Sequence, residues 1–227
     1  MDNETSIKPK NEGASLRAEI LPMTFGKIEA MDKQKKLSST KAWTAKINKA
    51  LEETPREKGD DKPPDEYKRK NMDRVIGFTA KALTEITEVL QVDNVDFEFF
   101  SDETDQNFFI WKPGVDLRVN MAHAGSNKVG IHINAFWNLV EHVRSSPYAE
   151  MTSVPQTIAN IMAEEVGHIY IERHHPKINE ESVKANEIAR KTGEHQAYDT
   201  DPGENALHEF AQDYADYVAK TQRWPFE

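Results

Sequence analysis

Three strongly polar residues, Glu164, Glu165 and His168, interrupt an otherwise apolar stretch of the chain. The apolar positions around them follow a helical period and take up most of the helix circumference; they are Ile158, Ile161, Met162, Val166, Ile169 and Ile171. Carboxylates that are buried in such a helix without partners destabilise the folded state or have a shifted pKa. We therefore expect a metal ion, another cation or a proton to compensate them.

The spacing of these residues matches that of a known zinc-binding motif. Glu164 and His168 stand at i and i+4 on one helix face, with Glu165 beside them. In the motif H-E-x-x-H, two side chains at this spacing bind Zn²⁺, and the Glu between them is the general base for a metal-activated water. Here Glu164 stands where the motif has its first His. Gly167 is unfavourable inside a helix by about 1 kcal/mol relative to alanine, so it indicates a close approach by another backbone or a substrate.

A second polar pattern lies downstream, in a helix predicted from about 204 to 221. Glu209 and Asp213 are one turn apart there. Together with the Glu-Glu-x-x-His sequence, this pattern resembles the gluzincin metallopeptidases, whose later helix carries Glu-x-x-x-Asp. The resemblance covers roughly residues 155 to 221. It implies that Glu165 is the catalytic base, that Glu164, His168 and Glu209 are metal ligands, and that Asp213 supports a ligand.

The resemblance also implies an activity and a way of binding substrate. The chain would be a zinc-dependent metallopeptidase that hydrolyses peptide bonds of a protein or peptide substrate. An edge strand before the motif helix would bind the substrate in extended form, and Lys128–Ile133 is the candidate. Peptidases of this kind often recruit a His or Tyr to stabilise the oxyanion, for which His195 and Tyr198 are candidates.

Other interpretations of the same residues stay open. Glu204-x-x-x-His208 repeats the spacing and direction of Glu164-x-x-x-His168, so two helices could bind one metal ion through two Glu and two His. Acidic residues at i and i+4, such as Glu209 and Asp213, more often mark a solvated helix face. The polar residues of the motif helix could also form such a face.

A carboxylate at position 164 changes the expected metal chemistry. Two Glu and one His neutralise a divalent ion, and a less positive ion lowers the pKa of its water less. Harder ligands also shift the preference from Zn²⁺ towards Mn²⁺ or Fe²⁺. The alternative function is therefore a catalytically weak or inactive zincin-like protein that acts as a protein-interaction module.

The order of predicted elements indicates one domain after a polar extension. A linker rich in charge and proline at residues 54–65 separates an N-terminal extension, 1–65, from a zincin-like domain, 66–227. We expect the extension to be polar and helical or disordered. We expect the domain to be α+β, with a small, mostly antiparallel sheet packed with helices. Its predicted strands cover 95–100, 107–111, 115–119 and 128–133.

Composition excludes several classes of function. The sequence has no cysteine, which excludes disulfides and cysteine-based zinc sites. A net charge of -10 argues against a general nucleic-acid partner. No apolar run approaches the roughly 20 residues of a membrane span, so no membrane partner is expected. Residues 1–8 carry no apolar signal-peptide region, and we expect a cytoplasmic protein, or one exported without a cleavable signal peptide.

Overall fold

A computed structural model describes residue 21 and residues 26–54, 66–100, 122–125, 127–145, 153–192 and 201–221. Helices make up most of these residues. They are α1 (Gly26–Glu29), α2 (Lys33–Glu53), α3 (Glu66–Leu90), α4 (Ile133–Ser145), α5 (Ser153–His174), α6 (Pro176–Thr192) and α7 (Pro202–Thr221). The three described strands are β1 (Asp96–Phe100), β2 (Ala122–Gly125) and β3 (Lys128–His132).

The strands form a mixed sheet in the order β1-β3-β2. Strands β1 and β3 are parallel, with Asp96 opposite Lys128 and Phe100 opposite His132. Strands β2 and β3 are antiparallel and close a hairpin, in which Asn127 takes a positive φ of 67°. Asparagine tolerates this left-handed conformation better than most residues, which suits it to the turn.

The predicted fold class is wrong. We expected a small, mostly antiparallel sheet packed with helices, but the described chain is mainly helical and its longest strand pairing, β1 with β3, is parallel. The predicted substrate-binding edge strand, Lys128–Ile133, corresponds to β3, which is the central strand and has neighbours on both sides. Two further predicted strands, 107–111 and 115–119, lie outside the described residues.

Helix α2 packs into the same apolar core as the elements after residue 66. Its Trp43 and Ile47 are buried, and the helix contacts α3 and β1. Lys36 of α2 also forms an ion pair with Glu85 of α3, whose side chain is fully buried. The segment predicted as an N-terminal extension therefore contributes to the core through α2, and also through the buried Ile28 of α1.

Helices α5 and α7 share the most extensive contact between any two described elements. Buried side chains of α7 recur at intervals of three and four residues, namely Leu207, Ala211, Tyr214 and Val218. Gly167 of α5 lies against Leu207, and a Cβ atom added at Gly167 would overlap Leu207 Cδ2. Gly167 therefore does lie at a close approach, but the approaching group is a side chain of α7 rather than the backbone or substrate that the sequence predicted.

Candidate metal centre

The two helices α5 and α7 bring three potential ligands together. One donor atom each from Glu164, His168 and Glu204 lies within 4.8 Å of the other two. His168 Nε2 is 3.7 Å from Glu204 Oε2. The Glu204 side chain is only 2% exposed, whereas those of Glu164 and His168 are partly exposed. The group thus has a buried side on α7 and a side on α5 that solvent or a substrate can reach.

Glu165 lies beside this group and is buried. Burial raises the pKa of its carboxyl well above 4.5, and the neighbouring carboxylates of Glu164 and Glu204 raise that pKa further. Three acidic side chains are therefore close enough to repel one another. Without a cation, this repulsion favours the protonated form of Glu165.

His208, one turn after Glu204 on α7, faces back towards α5. Its Nε2 is 3.2 Å from Glu164 Oε1, within hydrogen-bond distance. The imidazole is about half exposed, at 48%. The two Glu-x-x-x-His pairs consequently face each other crosswise, with His168 opposite Glu204 and His208 opposite Glu164.

The start of α7 is fixed by a buried aspartate, and this start places Glu204. Asp201 Oδ1 accepts hydrogen bonds from the Glu204 backbone N–H at 2.8 Å and from Ser182 Oγ at 2.7 Å. The Asp201 carbonyl accepts the first helical bond, from the Asn205 N–H, at 3.0 Å. Asp201 is therefore the N-cap of α7, and Ser182 ties this cap to α6.

The structure brings together part of the predicted site. Glu164, Glu165 and His168 lie together as the motif suggested, and Glu204 joins them. Glu209, the expected third ligand, lies outside the group, with an exposed side chain on another face of α7. Asp213, expected to support a ligand, follows it by one turn and is partly buried. His195 and Tyr198 lie outside the described residues.

The apolar register of α7 indicates that Glu204, rather than Glu209, faces the core. Glu204 continues the register of Leu207, Ala211, Tyr214 and Val218, so a helix here must turn its carboxylate towards the core. Glu209 is five residues further on, about 140° around the helix. Asp201 was not among the predicted site residues, although Asp-Pro-Gly-Glu has the spacing of a helix N-cap followed by Glu at the third helical position.

The chemistry of the donors fits a divalent metal ion. Zinc binds imidazole nitrogen and carboxylate oxygen at about 2.0–2.2 Å, so neighbouring ligand atoms in a tetrahedral site lie roughly 3.4 Å apart. The 3.7 Å between His168 Nε2 and Glu204 Oε2 is close to this value. A cation would also offset the repulsion among Glu164, Glu165 and Glu204. The residues present therefore fit such an ion, with two carboxylates and one imidazole as ligands.

Comparisons with known proteins identify no relative. No protein-family model matches the sequence, and neither the curated proteins nor the solved structures contain a significant match. None of the described helices combines the length and apolar character needed to cross a membrane.

Proposed function

We propose that the protein is a metal-dependent peptidase whose divalent ion is held by Glu164, His168 and Glu204. Zn²⁺ is the first choice, and the two carboxylates also suit Mn²⁺ or Fe²⁺. The observation that carries the proposal is the convergence of these three side chains, from two different helices, beside a fourth, buried acid. A bound ion would lower the pKa of a water and polarise the carbonyl of a peptide bond.

Glu165 is the general base in this proposal. It follows the ligand Glu164 directly and precedes the ligand His168 by one turn, so a water beside both ligands is within its reach. Its raised pKa suits a group that must accept a proton and then return it. The partly exposed side of the centre, at Glu164 and His168, is where the peptide would enter.

Metal content tests the ligand set. Purified protein incubated with Zn²⁺ and then desalted should retain about one ion per chain by mass spectrometry. His168→Ala and Glu204→Gln should lose it. Glu209→Gln is the matched control, because it removes an exposed carboxylate from the same helix, and it should retain the ion. A folded wild-type protein that retains no Zn²⁺, Mn²⁺ or Fe²⁺ contradicts the proposal.

A second candidate function is favoured by the carboxylate at position 164. Because two carboxylates leave a divalent ion formally neutral, the site could bind metal and yet activate water poorly. The protein would then be a zincin-like interaction module. Glu165→Gln separates the two functions: a peptidase loses hydrolysis of a casein or peptide-library substrate while it keeps the metal. An interaction module shows no hydrolysis in the wild type.

A further inference from the structure

His208 occupies a special place next to the proposed centre. It stands on the same helix as Glu204, one turn on, and its Nε2 is 3.2 Å from Glu164 Oε1. An ionised carboxylate can only accept a hydrogen bond, so the Nε2–H of His208 must donate to it. This hydrogen bond links α5 to α7 on the exposed side of the site.

We propose that His208 is a positioning residue that holds the Glu164 carboxylate in place for the metal ion, an inference that rests on the proposed metal site. A glutamate side chain has three rotatable bonds, and it loses their entropy when it binds a metal ion. A hydrogen bond to one oxygen fixes the carboxylate in advance and leaves the second oxygen for the ion. Such partners of ligand residues typically contribute about 10–100-fold to metal affinity.

The geometry favours this role over that of a fourth ligand. His208 is outside the group of described residues whose donor atoms lie within 4.8 Å of one another. Its Nε2 lies at a hydrogen-bond distance from the ligand Glu164, and its ring is about half exposed. We therefore expect metal affinity to depend on this hydrogen bond and not on the imidazole as a ligand.

Two substitutions at this position separate the hydrogen bond from the ring. His208→Leu removes the donor, and His208→Gln keeps an N–H at a similar distance from the backbone but replaces the imidazole. We expect Zn²⁺ affinity, measured by competition with a chromophoric chelator, to fall about 10–100-fold in His208→Leu. It should stay within about threefold of wild type in His208→Gln. Gln212→Leu, one turn further along the exposed surface of α7, is the control and should leave affinity unchanged.

A reciprocal exchange tests the pair directly. Glu164→His and His208→Glu each place two groups of one kind opposite each other and remove the carboxylate–imidazole hydrogen bond. His208→Glu should weaken Zn²⁺ binding, whereas Glu164→His also supplies the first imidazole of H-E-x-x-H and serves as the reference for the double variant. The double variant again has one carboxylate facing one imidazole, and it should bind Zn²⁺ more tightly than either single variant. Visible absorption of the Co²⁺-loaded proteins should show a ligand change at position 164, because nitrogen replaces oxygen.

The outcomes distinguish this inference from the function on which it rests. A wild type that binds no metal overturns both. A wild type that binds Zn²⁺ together with an equally tight His208→Leu overturns only the role of His208. Equal losses in His208→Leu and His208→Gln also overturn it, since they would make the imidazole a ligand. A double exchange variant that binds Zn²⁺ no more tightly than the tighter of the two single variants has the same consequence.

Discussion

The side chain of Leu207 on α7 occupies the space into which a Cβ atom at Gly167 on α5 would project. Leu207 is 1% exposed, so it has little room to move away. Gly167 is next to His168, and Leu207 lies between Glu204 and His208. The packing of α7 against α5 beside the proposed ligands therefore uses the space left by the absent side chain at Gly167.

Replacing this glycine should separate the ligands. We expect Gly167→Ala to lower the free energy of unfolding by about 1–2 kcal/mol, since overpacking outweighs the helical preference of alanine. It should also weaken Zn²⁺ binding, because α5 and α7 move apart at His168 and Glu204. Chemical denaturation and metal titration check both effects.

Gly77→Ala is the matched control for that substitution. Gly77 also lies inside a helix, α3, but a Cβ atom there would meet nothing within 4 Å. We expect this variant to gain up to about 1 kcal/mol of stability and to bind metal as the wild type does. If the two variants behave alike, the contact with Leu207 does not limit the approach of the helices.

The helices and two strands were largely predictable from local patterns in the sequence. Apolar periodicity predicts a helix over about 66–91 and another over about 155–172, and the structure has them at Glu66–Leu90 and Ser153–His174. Strands predicted at 95–100 and 128–133 appear as β1 and β3. These elements are short-range features, because each depends on side chains a few residues apart.

The sheet and the ligand on α7 were harder to predict, for different reasons. Alternating residues in β1 and β3 do not reveal whether the two strands run parallel, since that depends on the path of the chain between them. At α7, the acidic pair Glu209 and Asp213 matched a family pattern but not the apolar register of its helix. Glu204 is distinguished from Glu209 as the ligand on α7 by its buried side chain, and the family pattern does not reveal this difference.

The N-cap of α7 should affect both stability and metal binding. Asp201→Ala removes the acceptor for the Glu204 N–H and for Ser182 Oγ, so we expect it to cost about 0.5–2 kcal/mol of unfolding free energy. Zn²⁺ affinity should fall as well, because the first turn of α7 carries Glu204. Asp201→Asn keeps a capping oxygen and should retain most of both properties. Equal effects of the two variants would contradict the capping role.

A buried hydrogen bond anchors the other end of α7 to the N-terminal half of the chain. Tyr214 Oη donates to Glu85 Oε2 at 2.6 Å, and Lys36 forms an ion pair with the other oxygen of the same carboxylate. We expect Tyr214→Phe to cost about 1.5–3 kcal/mol, as for a hydrogen bond to a charged group. Lys36→Met should also be destabilising, because it leaves the buried Glu85 charge with one partner fewer.

The combined variant should show that the two residues act through Glu85. We expect the losses in Tyr214→Phe/Lys36→Met to differ from the sum of the single losses by about 0.5–3 kcal/mol. Urea denaturation of the four proteins gives this coupling. Additive losses would mean that Tyr214 and Lys36 contribute independently.

The raised pKa of Glu165 predicts how the stability of the metal-free protein depends on pH. Its pKa is well above 4.5 in the folded state, so the folded protein holds a proton that the unfolded chain releases. The stabilisation that Glu165 contributes when protonated is therefore complete below pH 4.5 and is lost as pH rises through the folded pKa. Glu165→Gln stays neutral, so in EDTA its stability should fall less than that of the wild type between about pH 4.5 and pH 8.

Added metal should oppose this loss in the wild type. Zn²⁺ at a hundredfold excess over its Kd stabilises the folded state by about 2.7 kcal/mol, and it relieves the repulsion among Glu164, Glu165 and Glu204. Because protons compete with the ion for the carboxylates, the gap between melting curves with and without Zn²⁺ should widen as pH rises. Parallel curves for the wild type and Glu165→Gln in EDTA would mean that Glu165 does not carry a raised pKa. Superimposable melting curves with and without Zn²⁺ would mean that the ion does not bind at this site.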